Sequence, residues 1–160
     1  MTRGPVRLDV SITYGLPRKG VPAAQSFRKW VAAALEGRIR EADLAIRLVD
    51  VREGRALNRH YRGKDYATNV LSFPAEVPEG LPKNVRFPLL GDLVICAPVV
   101  AREAREQAKP LAAHYAHMTV HGALHLLGWD HEDDTEATAM EQLERDILGT
   151  LGIADPYPDA

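Results

Sequence analysis

Five of the six histidines of this 160-residue chain lie in one short stretch, between residues 114 and 131. Burying several imidazoles together costs free energy unless their nitrogens have hydrogen-bond or metal partners, and a metal ion is a good partner for such nitrogens. The clearest pattern is His121, His125 and His131, in which the first two are four residues apart and face the same side of a helix. Gly128 can adopt a positive φ, end that helix and turn the chain so that His131 returns as a third ligand.

Three neutral imidazoles with an open fourth position form a catalytic Zn²⁺ site, in which bound water is acidified to a pKa of about 7. A structural zinc site usually has four ligands, often thiolates, and Cys96 is the only cysteine. The spacing HxxxHxxGxxH is that of the zincin metallopeptidases, but Gly122 stands where those enzymes carry the glutamate base. The pattern therefore predicts one zinc ion per chain and argues against peptide hydrolysis.

The neighbouring polar residues have two interpretations each. His114 and His117 fall on the same helical face as His121 and His125, within about 80° of arc. They are either packing residues or partners that hydrogen-bond the ligand histidines from behind. Asp130 either orients a ligand histidine or caps the turn.

Hydrophobic periodicity predicts the elements that position these residues. Strands are predicted over 7–12, 44–51, 68–73 and 93–96, and 74–90 is predicted to be a surface loop. About five helices are predicted: one capped by Ser26, then 52–60, 98–107 and 110–128, and a last one capped by Asp134 or Thr135. The helix over 110–128 is apolar nearly all round, which predicts a central, buried position. The fold class is α+β, a small mixed sheet of about four strands with about five helices; the strand order is left open.

Composition bounds the class of protein. At 17.7 kDa, with 46% hydrophobic and 26% charged residues, the chain is expected to form one globular domain over 1–160. A single cysteine excludes a secreted disulfide scaffold. No apolar run approaches the roughly 18 residues of a membrane span. Residues 1–5 do not resemble a signal peptide, so a cytoplasmic protein without membrane contact is expected.

Charge is distributed unevenly along the chain. Residues 1–109 hold 19 of the 20 Lys and Arg against 12 acids, a balance of +7, whereas residues 110–160 hold one arginine against 10 acids, a balance of −9. The basic part either attracts a polyanion or is neutralised by the acidic part within one fold. Arg52, Arg55, Arg59 and Arg62 fall within about 80° of helical arc, which indicates either a stripe for phosphates or a solvated charged face.

Three segments together resemble one family. The pattern HGxLHLxGxDH at 121–131 resembles the signature of the YbeY family, bacterial rRNA-maturation endoribonucleases. The segments LNxxYRGKDxxTNVLSFP at 57–74 and LGDLVI at 90–95 are similar to the same family. The resemblance covers roughly residues 45–155. The family signature often has Tyr where this chain has Trp129, a mild aromatic change.

The resemblance implies a zinc-dependent endoribonuclease specific for single strands, acting in maturation of the small-subunit (16S) rRNA 3′ end and in ribosome quality control. It implies that His121, His125 and His131 are the zinc ligands and that Arg62 is functionally essential. His121 and Arg62 are the expected catalytic residues, with Arg62, Arg59 and Lys64 as RNA contacts.

The expected partners are single-stranded RNA, small-subunit rRNA and the ribosome, with ribosomal or ribosome-assembly proteins as further partners. Two alternative functions stay open: a zincin-like metallopeptidase, and a zinc-containing ribosome-assembly factor that binds RNA without cutting it. For the endoribonuclease, the attacking nucleophile is either water or the RNA 2′-hydroxyl.

Overall fold

The computed structural model describes residues 6–85 and 87–157, so residues 1–5, to which the expectation about a signal peptide refers, lie outside it. Within these ranges the fold is α+β, as predicted, with four strands and five helices. In chain order they are β1 (Arg7–Tyr14), α1 (Ala24–Leu35), β2 (Glu41–Val49), α2 (Val51–Arg62), β3 (Val70–Pro74), β4 (Leu89–Cys96), α3 (Ala97–Glu106), α4 (Leu111–Leu126) and α5 (Asp134–Thr150).

The sheet is mixed, in the order β1-β2-β4-β3. The pairs β1–β2 and β2–β4 are parallel, whereas β3 runs antiparallel to β4. Parallel neighbours require a long crossover, and the chain from β1 to β2 crosses over through α1. Most of the range predicted as a surface loop, 74–90, lies between β3 and β4, but Pro74 belongs to β3, and Leu89 and Leu90 belong to β4. Strand β3 lies at one edge of the sheet.

The core lies between one face of the sheet and helices α1 and α4. Strand β2 shows why: Ala42, Leu44, Ile46 and Leu48 alternate along it and are all buried. Phe27 from α1 meets the buried Tyr115 ring of α4 edge to face, with centroids 5.9 Å apart. The alternation of apolar residues predicted along this strand thus corresponds to a sheet whose one face is covered by helices.

Helix α4 is the central helix, as its sequence predicts. Eleven of its sixteen residues are buried, and it contacts α1, α3, α5 and two strands. Pro110 precedes it, where a missing backbone N–H costs nothing. After Leu126 the chain turns at Gly128, whose φ of 101° is disfavoured for any residue with a side chain. The metal-ligand candidates therefore begin on a buried, well-packed element.

Several boundaries differ from the predictions by one to four residues, and three of them concern the start of a helix. Ser26 does not cap α1, which already begins at Ala24. Val51 belongs to α2 rather than to the second strand, because the Asp50 side chain caps that helix. Asp133, not Asp134 or Thr135, caps α5 by accepting the Glu136 amide at 2.7 Å. Competent capping residues stand side by side there, so sequence alone does not select one.

Among the helices that the structure describes, none combines the length and the apolar character that crossing a membrane requires.

Candidate functional site

The end of α4 and the turn after it bring three histidines together. His121 and His125 are one helical turn apart near the end of α4. The Gly128 amide donates to the His125 carbonyl at 3.0 Å, which closes the turn and directs the chain back over the helix end. His131 then lies beside both, with ring centroids 5.7 Å from His121 and 5.0 Å from His125. One ligand atom from each ring lies within 4.8 Å of the other two, so the group can hold a metal ion.

The hydrogen bonds of two rings determine which nitrogens are free. His125 Nδ1 lies 2.8 Å from the Trp129 carbonyl oxygen, which only accepts, so the proton is on Nδ1. His121 Nδ1 lies 3.1 Å from the carboxylate of Glu144, which fixes the same tautomer. The two Nε2 lone pairs then face each other at 3.1 Å. Two acceptors this close repel each other unless a proton or a metal ion lies between them, so a metal ion fits between these two neutral rings.

Glu144 on α5 supports the site from behind. It is 1% exposed, and its second oxygen accepts from His117 Nε2 at 2.6 Å and from the Tyr157 hydroxyl at 2.8 Å. Burial opposes ionisation of this carboxyl, but the hydrogen bonds from His117 and His121 outweigh burial and lower the pKa of Glu144 to about 2. A permanent carboxylate thus holds His121 in the tautomer that a metal needs.

Burial also favours the neutral form of two histidines, His117 and His125. It lowers the pKa of His117, although the bond to Glu144 acts in the opposite sense. Burial lowers the pKa of His125 as well, and the neighbouring His121 adds to this effect. A neutral imidazole is the form that binds metal, so burial prepares His125 for this role.

Sequence reasoning missed Glu144 and Tyr157. A signal for Glu144 was present: it lies four residues after Met140 and three before Ile147, on the apolar face of α5. A charged residue on such a face needs a partner in the core. Tyr157 carries no comparable signal, because it follows the last helix in an irregular segment.

The Glu144→Gln variant is expected to weaken zinc binding by about 10- to 100-fold. His117 and His121 donate to different oxygens of Glu144, and glutamine replaces one of these oxygens with a donating NH₂, so it cannot accept from both rings in this geometry. Competition with a chromophoric chelator measures the affinity. Asp146→Asn removes an exposed carboxylate from the same helix and is expected to bind zinc like the parent. Equal affinity in the parent and the Glu144 variant would contradict this role.

The three histidines line an open cavity of about 710 Å³. Its other walls come from the end of α2, from β3 and from the turn after α4. Arg62 lines it too; the guanidinium is exposed and has no ion pair or hydrogen bond to any residue in 6–85 or 87–157. A free cationic fork beside three imidazoles suits a phosphate oxygen.

The other predicted residues take different positions. Asp130 lines the cavity, and its carboxylate accepts the His131 amide at 2.8 Å, which is the turn-capping interpretation. His117 reaches the site through Glu144, whereas His114 pairs with Glu103 at 2.9 Å. Neither Arg59 nor Lys64 is among the described residues that line the cavity.

The arginine stripe of α2 is not uniform. Arg55 forms a two-pronged ion pair with Asp65, with N–O distances of 2.8 and 3.0 Å. Arg62, one end of the stripe, lines the cavity. The stripe therefore does not act as one continuous set of free cations.

Gly122 occupies the position of the peptidase glutamate, and it packs against the sheet. A Cβ there would lie 2.8 Å from Leu93 Cδ2 and 3.2 Å from Val70 Cγ2. The backbone of α4 approaches β3 and β4 so closely that no larger side chain fits without displacement. A glutamate at this position would be forced against apolar core atoms.

We expect Gly122→Glu to lower stability by about 3 kcal/mol or more, because it overpacks the core and buries a carboxylate. That corresponds to a fall in Tm of about 6 °C or more, measured by thermal denaturation. No peptidase activity is expected to appear. Gly149→Glu is the matched control: this glycine is exposed in α5 with nothing within 4 Å of its Cβ position, so Tm should not fall. Equal Tm values for the two variants would refute the close packing.

The fold and the site define an α+β protein whose central helix and following turn present three histidines able to hold a metal ion. The sequence model of the family described as Endoribonuclease YbeY matches residues 18–152. The chain belongs to this family.

Individual relatives agree with the family match. A Stenotrophomonas maltophilia (strain R551-3) protein named Endoribonuclease YbeY is 83% identical over 157 residues, which are 98% of each chain. A Xanthomonas axonopodis pv. citri (strain 306) protein of the same name is 79% identical over 157 residues, again 98% of each. The solution structure of a Thermotoga maritima protein matches with a TM-score of 0.57 and 24% identity, covering 94% of this chain and 96% of that one. This last likeness shows the fold alone.

Proposed function

We propose that this chain is a zinc-dependent endoribonuclease that cuts single-stranded RNA, with residues 1–160 as one catalytic domain. The observation that supports it most is a shared cavity: the three histidines line the same opening as Arg62, whose guanidinium has no partner among the described residues. The name endoribonuclease on relatives aligned over 98% of their length supports the reaction class.

Zinc fits the donor set of His121, His125 and His131. Imidazole nitrogens suit zinc, and three protein ligands with one open position are typical of its catalytic sites. The facing lone pairs of His121 and His125 mark where a cation would be held. When bound there, the ion supplies Lewis-acid chemistry: it acidifies water and polarises a phosphoryl oxygen.

The chain's own residues orient the RNA. Arg62 donates a fork of N–H groups to the scissile phosphate and stabilises negative charge that grows on its oxygens. Glu144 and the Trp129 carbonyl hold the imidazoles of His121 and His125 in place. Arg59 and Lys64, exposed near the end of α2, contact phosphates outside the cavity.

The nucleophile is water or the RNA 2′-hydroxyl, and Gly122 supplies no carboxylate base. A substrate with a single deoxyribose at the cleavage position separates the two. Cleavage that survives this change means that water attacks.

The substrate in the cell, on this proposal, is the 3′ end of small-subunit 16S rRNA, cut in the cytoplasm during maturation and in ribosome quality control. The ribosome and ribosomal or ribosome-assembly proteins are its partners. The family resemblance of the three segments supports this placement.

Cleavage of a labelled oligoribonucleotide tests the proposal. Parent protein with zinc should cut the unpaired form and leave its duplex intact, while His121→Ala and Arg62→Ala prepared in parallel should be inactive. Variants that cut as fast as the parent would trace the activity to a contaminating nuclease and contradict the proposal. Zinc-loaded protein that binds RNA without cutting it would indicate an assembly factor, and hydrolysis of unstructured peptides would indicate a peptidase.

A further inference from the structure

Two large aromatic side chains line the same cavity as the histidines and Arg62, yet both are open to solvent. Trp129 is 37% exposed and Tyr61 is 60% exposed. The second tryptophan, Trp30, shows the usual environment of such a ring, since it is 7% exposed in the core. Aromatic rings exposed beside a cationic group are the surface on which nucleic-acid bases stack.

The backbone of Trp129 is fixed to the metal-ligand helix. Its amide donates to the Leu124 carbonyl at 3.0 Å, and its own carbonyl accepts from His125 Nδ1 at 2.8 Å. The indole N–H has no hydrogen-bond partner within the described ranges. The ring is therefore presented from a rigid anchor next to a ligand histidine, with its polar edge still free.

The Tyr61 ring is held at the end of α2. It packs edge to face against Phe73 of β3, with centroids 5.0 Å apart, and Phe73 also lines the cavity. Arg62, the next residue, is the last of α2 before Gly63 turns the chain with φ at 71°. A phosphate-binding cation and an aromatic ring thus come from adjacent residues, which matches the alternation of phosphate and base along a nucleotide strand.

We propose that Trp129 and Tyr61 are stacking sites for unpaired bases of the nucleotides next to the phosphate held at Arg62 and the histidines; this rests on the proposed function. A base within a duplex is already stacked on both faces, so only an unpaired strand can use these rings. The stacking sites thereby select single strands. The Arg62 side chain in the same cavity, which has no partner in 6–85 or 87–157, favours a nucleic acid over a protein surface as the occupant.

Binding of a uridine-rich oligoribonucleotide to the zinc-loaded protein tests this proposal. Trp129→Ala and Tyr61→Ala should each weaken binding about 5- to 150-fold. Trp129→Phe and Tyr61→Phe should keep most of the affinity, because each retains a π face. Tyr66→Ala is the matched control, since Tyr66 is 55% exposed but does not line the cavity, and it should bind like the parent.

Three readouts separate stacking from structural damage. Zinc content should be equal in the parent and all five variants, and the indole fluorescence of Trp129 should fall when RNA is added to the parent. With an oligonucleotide that lacks the base at the contacted position, the parent and an alanine variant should bind with equal affinity.

The outcomes distinguish this proposal from the one on which it rests. Parent that cuts RNA, with both alanine variants binding within twofold of it, would overturn the stacking sites and leave the proposed function standing. Equal losses for duplex and unpaired RNA would overturn them as well. Parent that neither binds nor cuts RNA, or that binds an unrelated protein through these rings instead, would overturn both.

Discussion

The His125→Ala variant is expected to lose its metal and its RNA cleavage together. Two imidazoles would remain. Of the two Nε2 lone pairs of His121 and His125, which face each other at 3.1 Å, only that of His121 would be left. Removing a hydrogen-bond partner of a ligand already costs about 10- to 100-fold in metal affinity, so removing a ligand should cost more. We expect about one zinc per parent chain and close to none in the variant, measured by mass spectrometry of metal content after gel filtration.

His60→Ala is the control for metal content, since this exposed histidine on α2 lies outside the cluster. It should retain the zinc of the parent. Cleavage by His125→Ala should fall about a hundredfold or more, because a chain without the ion lacks the Lewis acid of the proposed reaction. A variant that keeps one zinc ion per chain, or a crystal grown with abundant zinc whose three imidazoles hold nothing, would refute the ligand assignment.

The Arg62→Ala variant is expected to lower the cleavage rate about a hundredfold or more, or about 3 kcal/mol of transition-state stabilisation. Arg62 is exposed and has no partner in the described ranges, so Tm and zinc content should not change. Arg62→Lys keeps the charge but loses the two-pronged geometry, and it should recover only part of the rate. Single-turnover cleavage with saturating enzyme measures the chemical step directly.

Arg102→Ala is the control for Arg62→Ala. Arg102 is exposed on α3, where it pairs with Glu106 at 3.7 Å, and it does not line the cavity. It should cut RNA at the rate of the parent. Equal rates for the two alanine variants would show that Arg62 stabilises nothing in the reaction.

Local sequence patterns predicted the helices and strands well, because each pattern of apolar residues can be buried in only one kind of secondary structure. Alternation along β2 buries every second residue, and an all-round apolar helix such as α4 has to be central. The histidine spacing likewise predicts proximity, since residues four apart share a helical face and Gly128 allows the turn. The placement of Arg62 in the site was predicted from the family resemblance instead. Sequence spacing could not predict it, because the distance from α2 to the end of α4 depends on tertiary packing.

Long-range contacts were not predictable in the same way. The order β1-β2-β4-β3 follows from which edges meet during folding, and no single segment specifies it. Glu144 reaches His121 across 23 residues because α5 docks on α4. Arg55 lies on the same helical arc as Arg62, but its guanidinium forms an ion pair with Asp65 in the following loop.

The placement of the three candidate ligands would make the stability of the protein depend on the concentration of free metal ion. His121 and His125 belong to α4 and His131 to the chain beyond Gly128, so an ion that binds all three also fastens the turn to the helix. Ion binding to the folded chain would then be coupled to folding. A free ion concentration one hundred times the dissociation constant would add about 2.7 kcal/mol to the free energy of unfolding. Without the ion, the turn around residues 128–133 would lose this attachment to α4, and a protease should cut it more readily than in the metal-loaded protein.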